Sequence, residues 1–209
     1  MSIEIKITKK PVEYRKAIDL LESRVSKIQE NKVDELIWIL SHKNIFTAGT
    51  NFNSDEILDK SIEIVKTNRG GKITYHGKGQ IVFYFVINLN KRKKDIRLLI
   101  KIIEDAIINS LKYYKIKAYR DKKNIGIWVS HQNKLKKVGA VGIKIKKWIA
   151  YHGFSLNINT NLKNFSKIIP CGIKNKDVIN LNNLKKLNYS NLHKILIKEF
   201  IISLKRLDN

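Results

Sequence analysis

The chain has 209 residues, 43% of them hydrophobic, and a formal net charge of +24. This length suits one domain with its own core, so residues 1–209 are expected to form a single domain. The single cysteine excludes a disulfide framework and an ordinary cysteine zinc site, and there is no run of about 18 apolar residues to span a membrane. The first ten residues lack the apolar segment of a secretory signal, so we expect a cytoplasmic protein.

The spacing of apolar residues predicts alternating helices and strands along the chain. In chain order they are a helix at 11–30, strands at 34–40, 61–66 and 81–89, a helix at 94–114, strands at 125–129, 137–146 and 148–157, and a helix at 190–206. The strand at 81–89 is apolar without alternation, which predicts burial on both faces. Ser190 or Asn191 is expected to cap the last helix. Mixed elements without a regular βαβ repeat favour an α+β fold, a mixed sheet packed with helices.

The strong positive charge has two competing explanations, a nucleic-acid-binding surface or compositional drift. Lys and Ile occur 35 times each and Asn 21 times, whereas Ala occurs 6 times and Arg 7 times. The abundant residues have A/T-rich codons, and a selected nucleic-acid surface would favour arginine for its bidentate contacts. Drift is therefore the favoured explanation, although the charge would still attract an acidic partner.

The densest unusual segment is 69–80, Arg-Gly-Gly-Lys-Ile-Thr-Tyr-His-Gly-Lys-Gly-Gln, with four of the ten glycines. It lies between two predicted strands, and its glycines would let the backbone approach a ligand closely. The spacing is not that of a phosphate-binding P-loop. A plain hairpin turn is the alternative, but it would not need so many polar groups. We therefore interpret the segment as a loop shaped around a ligand.

Cys171 lies between Pro170 and Gly172 in the polar stretch 159–176, a setting that suits an exposed thiol better than a core residue. A nucleophilic cysteine needs a neighbouring cation to hold its thiolate. From the residues alone the candidates are Lys137, His76 and His152. Each also has an ordinary interpretation, as a solvated lysine or a structural histidine.

Four segments together resemble the lipoyl(octanoyl) transferase family. The family's loop Arg-Gly-Gly-x-x-Thr-Tyr-His-Gly-Pro-Gly-Gln is similar to Arg69–Gln80, and its lysine motif to Lys137–Gly142. The family's Tyr-His-Gly-Phe-Ser-Leu-Asn pattern matches Tyr151–Asn157, and its Pro-Cys-Gly matches Pro170–Gly172. Order and spacing agree over about residues 12–180.

The resemblance implies the fold of biotin and lipoate protein ligases and a reaction in two steps. Octanoyl would pass from acyl carrier protein to Cys171 as a thioester, and then to a lysine of a lipoyl domain. The acceptors implied are the lipoyl domains of 2-oxoacid dehydrogenase complexes and the glycine cleavage H protein. Lys137 would lower the pKa of the thiol and act as acid and base, with no cofactor or metal. The substrate-binding residues implied are Arg69, Gly70, Gly71, Lys72, Ile73, Thr74, Tyr75, His76, Ala140, Val141, Gly142, Gly153, Phe154 and Ser155.

The sequence departs from the family pattern at the expected pocket entrance. Lys78 replaces the family's proline and adds a charge, and the segment 41–49 lacks the family's acid and proline. Two alternative functions remain, an ATP-dependent lipoate or biotin ligase without a cysteine nucleophile, and a basic nucleic-acid-binding protein. An inactive homologue is disfavoured because every catalytic position of the motifs is retained.

Overall fold

The computed structural model describes residues 2–121, 124–170 and 177–208 of the chain. Its helices and strands in chain order are β1 (Ile3–Ile7), α1 (Tyr14–Gln29), β2 (Glu35–Leu40), β3 (Ile45–Ala48), β4 (Ile64–Lys66), β5 (Ile73–His76), β6 (Gln80–Asn88), α2 (Ile96–Lys112), β7 (Ala118–Arg120), β8 (Ile127–His131), β9 (Lys134–Lys146), β10 (Ile149–Asn157), α3 (Leu181–Leu184) and α4 (Leu192–Leu204). Across these ranges no helix is both long and apolar enough to cross a bilayer.

The described strands form two sheets. The larger has seven strands in the order β1-β2-β6-β10-β9-β8-β7, and the smaller has the order β4-β3-β5. In the larger sheet β1 is parallel to β2 and the other neighbours are antiparallel. In the smaller sheet β3 is parallel to β4 and antiparallel to β5. The predicted mixed sheet with packed helices is therefore confirmed.

Between its polar ends, Gln80 and Asn88, strand β6 is apolar because helices cover both faces of the large sheet. Phe83, Phe85 and Ile87 pack in the core that α2 and α4 build on one face. The residues between them, Tyr84 and Val86, pack with α1 on the other face. Since successive side chains of a strand point to opposite faces, each face receives every second residue. The predicted burial on both faces is confirmed.

The three predicted helices are confirmed, with ends that differ by one to three residues. Asn191 is the N-cap residue of the last helix, as expected, but its side chain makes no capping hydrogen bond. Instead Oδ1 of Asn188 accepts from the backbone N–H of Ser190 at 2.9 Å. The strand predicted at 61–66 is confined to β4.

The interpretation of 69–80 as one continuous loop is wrong in its middle. Residues Ile73–His76 form β5, which pairs with β3. Strand β3 was itself missed, as were the short edge strands β1 and β7. A strand of three to five residues carries too few alternations to stand out in the hydropathy pattern. Whether so short a segment forms a strand depends on its pairing with a neighbouring strand.

Candidate active site

Residues from both sheets line one cavity of about 410 Å³. Its walls come from β5, β6, β9 and β10 and from the segments after β3, before β5 and before β8. The lining residues are Asn51, Arg69, Gly71, Lys72, Thr74, His76, Val82, Tyr84, Asn124, Ile125, Lys137, Ala140, Val141, Gly142, His152, Gly153, Phe154 and Ser155. Segments separated by more than 80 residues of sequence thus meet at one place.

Most of the residues that the motifs singled out line this cavity. They are Arg69, Gly71, Lys72, Thr74, His76, Lys137, Ala140, Val141, Gly142, Gly153, Phe154 and Ser155. Gly70 lies beside it, with its N–H donating to the carbonyl of Ile143 at 3.0 Å. Cys171 and Gly172 lie outside the described residues.

Two residues predicted for the cavity, Ile73 and Tyr75, do not line it. They alternate with Thr74 and His76 along β5, so their side chains lie on the opposite face of the strand. Both are buried in an apolar cluster with Phe165. The Tyr75 hydroxyl donates to Oδ1 of Asn44 at 2.8 Å.

Arg69 is held at the cavity wall by uncharged acceptors. It is 9% exposed, and its Nη2 donates to both the carbonyl oxygen and Oγ1 of Thr47, at 2.8 and 2.9 Å. Its Nη1 donates to the carbonyl oxygen of Gly70 at 3.1 Å. Close backbone approach at Gly49 permits this arrangement, because a Cβ there would lie 2.3 Å from the carbonyl oxygen of Gly71. The segment 41–49, which lacks two of the family's residues, therefore still supplies the arginine's partner.

Lys78 does not bring its charge to the cavity wall. It is exposed in the turn between β5 and β6 and is not among the lining residues. The expected extra charge at the pocket is therefore placed on the outer surface instead.

Three histidines, His42, His76 and His152, are buried beside or in the cavity wall. Burial lowers the pKa of His42 to about 4. Burial lowers the pKa of His76 to about 3, helped by the charges of His42 and Arg69. Burial, with the charges of Arg69 and Lys144, lowers the pKa of His152 to about 3. All three imidazoles are neutral at pH 7.

Hydrogen bonds fix the tautomers of His42 and His76. Nδ1 of His42 lies 2.9 Å from the carbonyl oxygen of Val12, which only accepts, so Nδ1 carries the proton. Its Nε2 then accepts from the Tyr84 hydroxyl at 2.8 Å. Nδ1 of His76 donates to Oε1 of Gln80 at 2.7 Å. Both histidines are therefore held by hydrogen bonds, His76 in the cavity wall and His42 beside it.

His152 adopts an unusual backbone conformation for a residue in the middle of a strand. Its φ is +68°, and that of the following Gly153 is +154°. A Cβ on Gly153 would lie 2.1 Å from the carbonyl oxygen of Phe83, so only glycine fits. Nε2 of His152 lies 2.9 Å from Oδ1 of Asn68, whose Nδ2 donates to Glu22. The strand is thereby distorted where it forms the cavity wall.

Lys137 lies on β9 with its side chain at the cavity and 6% exposed. Its Nζ donates to the carbonyl oxygen of Ile125 at 3.0 Å and lies 5.3 Å from the ring centroid of Trp128. The neighbouring Lys136 instead pairs with Asp177, with Nζ 3.2 Å from Oδ2. Adjacent lysines of one strand thus have different surroundings, as the alternation of a strand requires.

Several residues of the site carried no sequence signal that was recognised. Tyr84 and Val82 line the cavity from β6, whose apolar run indicated only a core strand. Asn124 and Ile125 lie just before β8 and belong to no motif. Their proximity to Lys137 follows from the pairing of β8 with β9, which the sequence does not display.

The chain is similar in sequence to proteins of a known family. Residues 13–201 match the family described as the lipoyl protein ligase A/B catalytic domain. The chain belongs to this family. Its relatives include a protein named octanoyltransferase from Rickettsia rickettsii (strain Sheila Smith), 42% identical over 193 residues, which cover 90% of this chain and 92% of the relative. An octanoyltransferase of Wolbachia pipientis wMel is 41% identical over 93% of this chain and 96% of the relative. The resemblance drawn from the motifs is confirmed.

Solved structures of the lipoyl protein ligase A/B type share the fold at much lower identity. A lipoate-protein ligase A bound with ATP has a TM-score of 0.74 at 17% identity, covering 100% of this chain and 87% of that one. A bipartite lipoate protein ligase from Thermoplasma acidophilum has a TM-score of 0.75 at 16% identity, covering 98% and 84%. These likenesses establish the fold that the resemblance implied.

Proposed function

We propose that the chain transfers an octanoyl group from acyl carrier protein to Cys171, as a thioester, and then to the lysine ε-amine of a lipoyl domain. The octanoyltransferase relatives, 40–42% identical over about 90% of the chain, support octanoyl transfer. The Pro-Cys-Gly sequence of residues 170–172 supports the cysteine step. Residues 1–209 act as one catalytic domain in this proposal.

The observation that carries the proposal is that the described residues on both sides of the Cys171 segment lie either against Lys137 or at a cavity that Lys137 lines. Pro170, which directly precedes Cys171, lines a small cavity together with Lys137. On the other flank, the backbone N–H of Lys137 donates to the carbonyl oxygen of Asp177 at 2.9 Å. This supports Lys137 as the cation beside the thiol.

The histidines are poor alternatives for that cation. The lowered pKa values of His76 and His152, both about 3, leave their imidazoles uncharged at pH 7. A neutral imidazole does not favour thiolate over thiol by charge. Of the three candidates from the sequence, Lys137 is therefore the one that we propose.

In the first step the Cys171 thiolate attacks the thioester carbonyl of the octanoyl carrier. The new S–C bond forms, the carrier's C–S bond breaks, and Lys137 gives the leaving thiolate a proton. In the second step the acceptor amine attacks the Cys171 thioester and the C–S bond to Cys171 breaks. The amine proton passes to Lys137, which regenerates the starting state. The Arg69 charge and backbone N–H groups of the glycine-rich segments would stabilise the oxyanion of each step.

The cavity offers surfaces suited to an acyl chain and to a reacting carbonyl. Val82, Val141 and Phe154 supply apolar wall, whereas Arg69 and Lys137 supply positive charge. The acceptors that we propose are lipoyl domains of 2-oxoacid dehydrogenase complexes and the glycine cleavage H protein. A cytoplasmic location belongs to the same proposal, because a free Cys171 thiol needs a reducing compartment.

Intact mass spectrometry after incubation with octanoyl carrier protein tests the cysteine step. One octanoyl adduct, removed by hydroxylamine, is expected on the wild type and absent from Cys171→Ser. An adduct that persists in Cys171→Ser would refute the thioester. Amide formation that requires ATP would instead identify a ligase, and steeply salt-dependent retention of nucleic acid on a filter would favour the nucleic-acid alternative.

Alkylation of Cys171 by iodoacetamide against pH tests the role of Lys137. Because the chain has one cysteine, the signal is specific. Lys137→Ala should raise the midpoint towards about 8.5 and slow transfer by about 10²–10⁴-fold. Lys136→Ala is the matched control and should do neither. Equal shifts in both variants would contradict the assignment.

A further inference from the structure

The side chain of Lys137 packs directly on the backbone of the turn at residues 124–126. Gly126 has a φ of +139°, and a Cβ there would lie 2.5 Å from Cε and 3.0 Å from Nζ of Lys137. The carbonyl oxygen of the preceding Ile125 accepts from the same Nζ. The position of the ammonium group is therefore set by the position of this turn.

The turn is not anchored by burial of its own side chains, since that of Ile125 is 51% exposed. Hydrogen bonds with Trp128 and Glu104 hold its backbone. Nε1 of Trp128 donates to the carbonyl oxygen of Asn124 at 3.0 Å. The N–H of Gly126 donates to Oε1 of Glu104, which lies on α2, at 3.4 Å.

Glu104 is an exceptional residue for the buried face of α2. It is 6% exposed, and the other buried positions of the helix are apolar apart from Ser110. Its Oε2 lies 3.4 Å from Nε of Arg120, which also pairs with Asp105. Burial raises the pKa of the Glu104 carboxyl, opposed by the Gly126 amide and by the charges of Arg120 and Lys137. Burying an apolar side chain here would cost less free energy than burying a carboxylate, which indicates that the carboxylate has a specific role.

We propose that Glu104 is a positioning residue for Lys137. By accepting from the Gly126 amide it holds the turn 124–126, and thereby the Ile125 carbonyl, against the lysine's ammonium group. The effect of Glu104 on catalysis rests on the proposed function, because Glu104 acts only through Lys137. The effect of Glu104 on the position of Lys137 is independent of the proposed function.

Reductive methylation at limiting formaldehyde, followed by tandem mass spectrometry, measures how accessible the ε-amine of Lys137 is. This measurement does not require that the protein transfer octanoyl groups. Glu104→Met removes the acceptor and keeps an apolar side chain of similar length in the core. Methylation of Lys137 should rise at least tenfold in this variant, with Lys136 unchanged. Glu104→Gln keeps an acceptor for the Gly126 amide and should stay within threefold of wild type.

Glu199→Met is the matched control for the loss of a buried carboxylate. Glu199 is 9% exposed on α4 and accepts from the Tyr113 hydroxyl at 3.2 Å. It should leave methylation of Lys137 unchanged. Methylation of Lys137 in Glu104→Met that equals wild type, or that also rises in Glu199→Met, would overturn the proposal.

Kinetics then separate the two proposals. Glu104→Met should lower kcat for octanoyl transfer by about 10–100-fold, the cost of roughly 1 Å of misplacement, with KM for the donor unchanged. Glu104→Gln should restore the rate. If Lys137→Ala leaves transfer unaltered, the proposed role of Lys137 in catalysis fails, while the methylation result still decides the role of Glu104.

Discussion

The three buried histidines make the fold sensitive to mild acid. His42, His76 and His152 have pKa values lowered to about 4, 3 and 3, whereas an unfolded chain titrates near 6.5. As pH falls below 6.5 the unfolded state therefore binds protons first. The free energy of unfolding therefore decreases as the pH falls from 6.5 towards the pKa values of the histidines in the folded chain.

The size of this loss follows from the shifts. At pH 5 each histidine is still neutral in the folded chain and almost fully protonated in the unfolded chain. The difference costs about 2 kcal/mol per histidine, or about 6 kcal/mol for the three. Since domains are stable by only about 5–15 kcal/mol, the loss should bring the protein close to unfolding.

Urea unfolding at pH 7.5 and pH 5.0 measures the effect. The free energy of unfolding should fall by about 6 kcal/mol between these conditions, and the fall should persist in raised salt, which screens surface charge. His42→Gln, which keeps a donor and an acceptor but takes up no proton, should shrink the difference by about 2 kcal/mol. Equal stability at both pH values would refute the assignment of neutral buried histidines.

Three further perturbations test other parts of the structure. Gly126→Ala should displace Lys137 by about 1 Å and thereby slow octanoyl transfer about 10²-fold. In a protein that already carries Lys137→Ala, the same substitution should have no further effect on the rate. Gly153→Ala should lower the free energy of unfolding by about 3 kcal/mol, because the added Cβ would lie 2.1 Å from the Phe83 carbonyl oxygen. Denaturant titration measures this, and an unchanged midpoint would contradict the close approach. Since the chain carries a net charge of +24, kcat/KM for an acidic carrier protein should fall between low and high salt through slower association, and a flat response would mean that the charge lies away from the docking face.

The sequence by itself determined the family and most of the cavity wall. Motifs such as Arg69–Gln80 and Tyr151–Asn157 identify their residues by local order and spacing, so no tertiary information is needed. The long helices were also predictable, because helical periodicity over ten or more residues reports which face is buried. The uninterrupted apolar run at 81–89 likewise indicated a strand buried on both faces. The short strands β3 and β5 were not predictable, because their formation depends on pairing with neighbouring strands.

Only the tertiary structure decided the chemistry of individual groups. His76 and His152 were candidate cations from the sequence, but their charge depends on burial, which is a property of the assembled core. Ile73 and Tyr75 belong to the loop motif, yet the alternation of β5 turns them away from the cavity. Glu104 approaches Lys137 across 33 positions of sequence, through the pairing of β8 with β9 and the packing of α2. Such contacts between distant segments leave no local pattern, because each residue's neighbours are fixed only when the sheet and helices have come together.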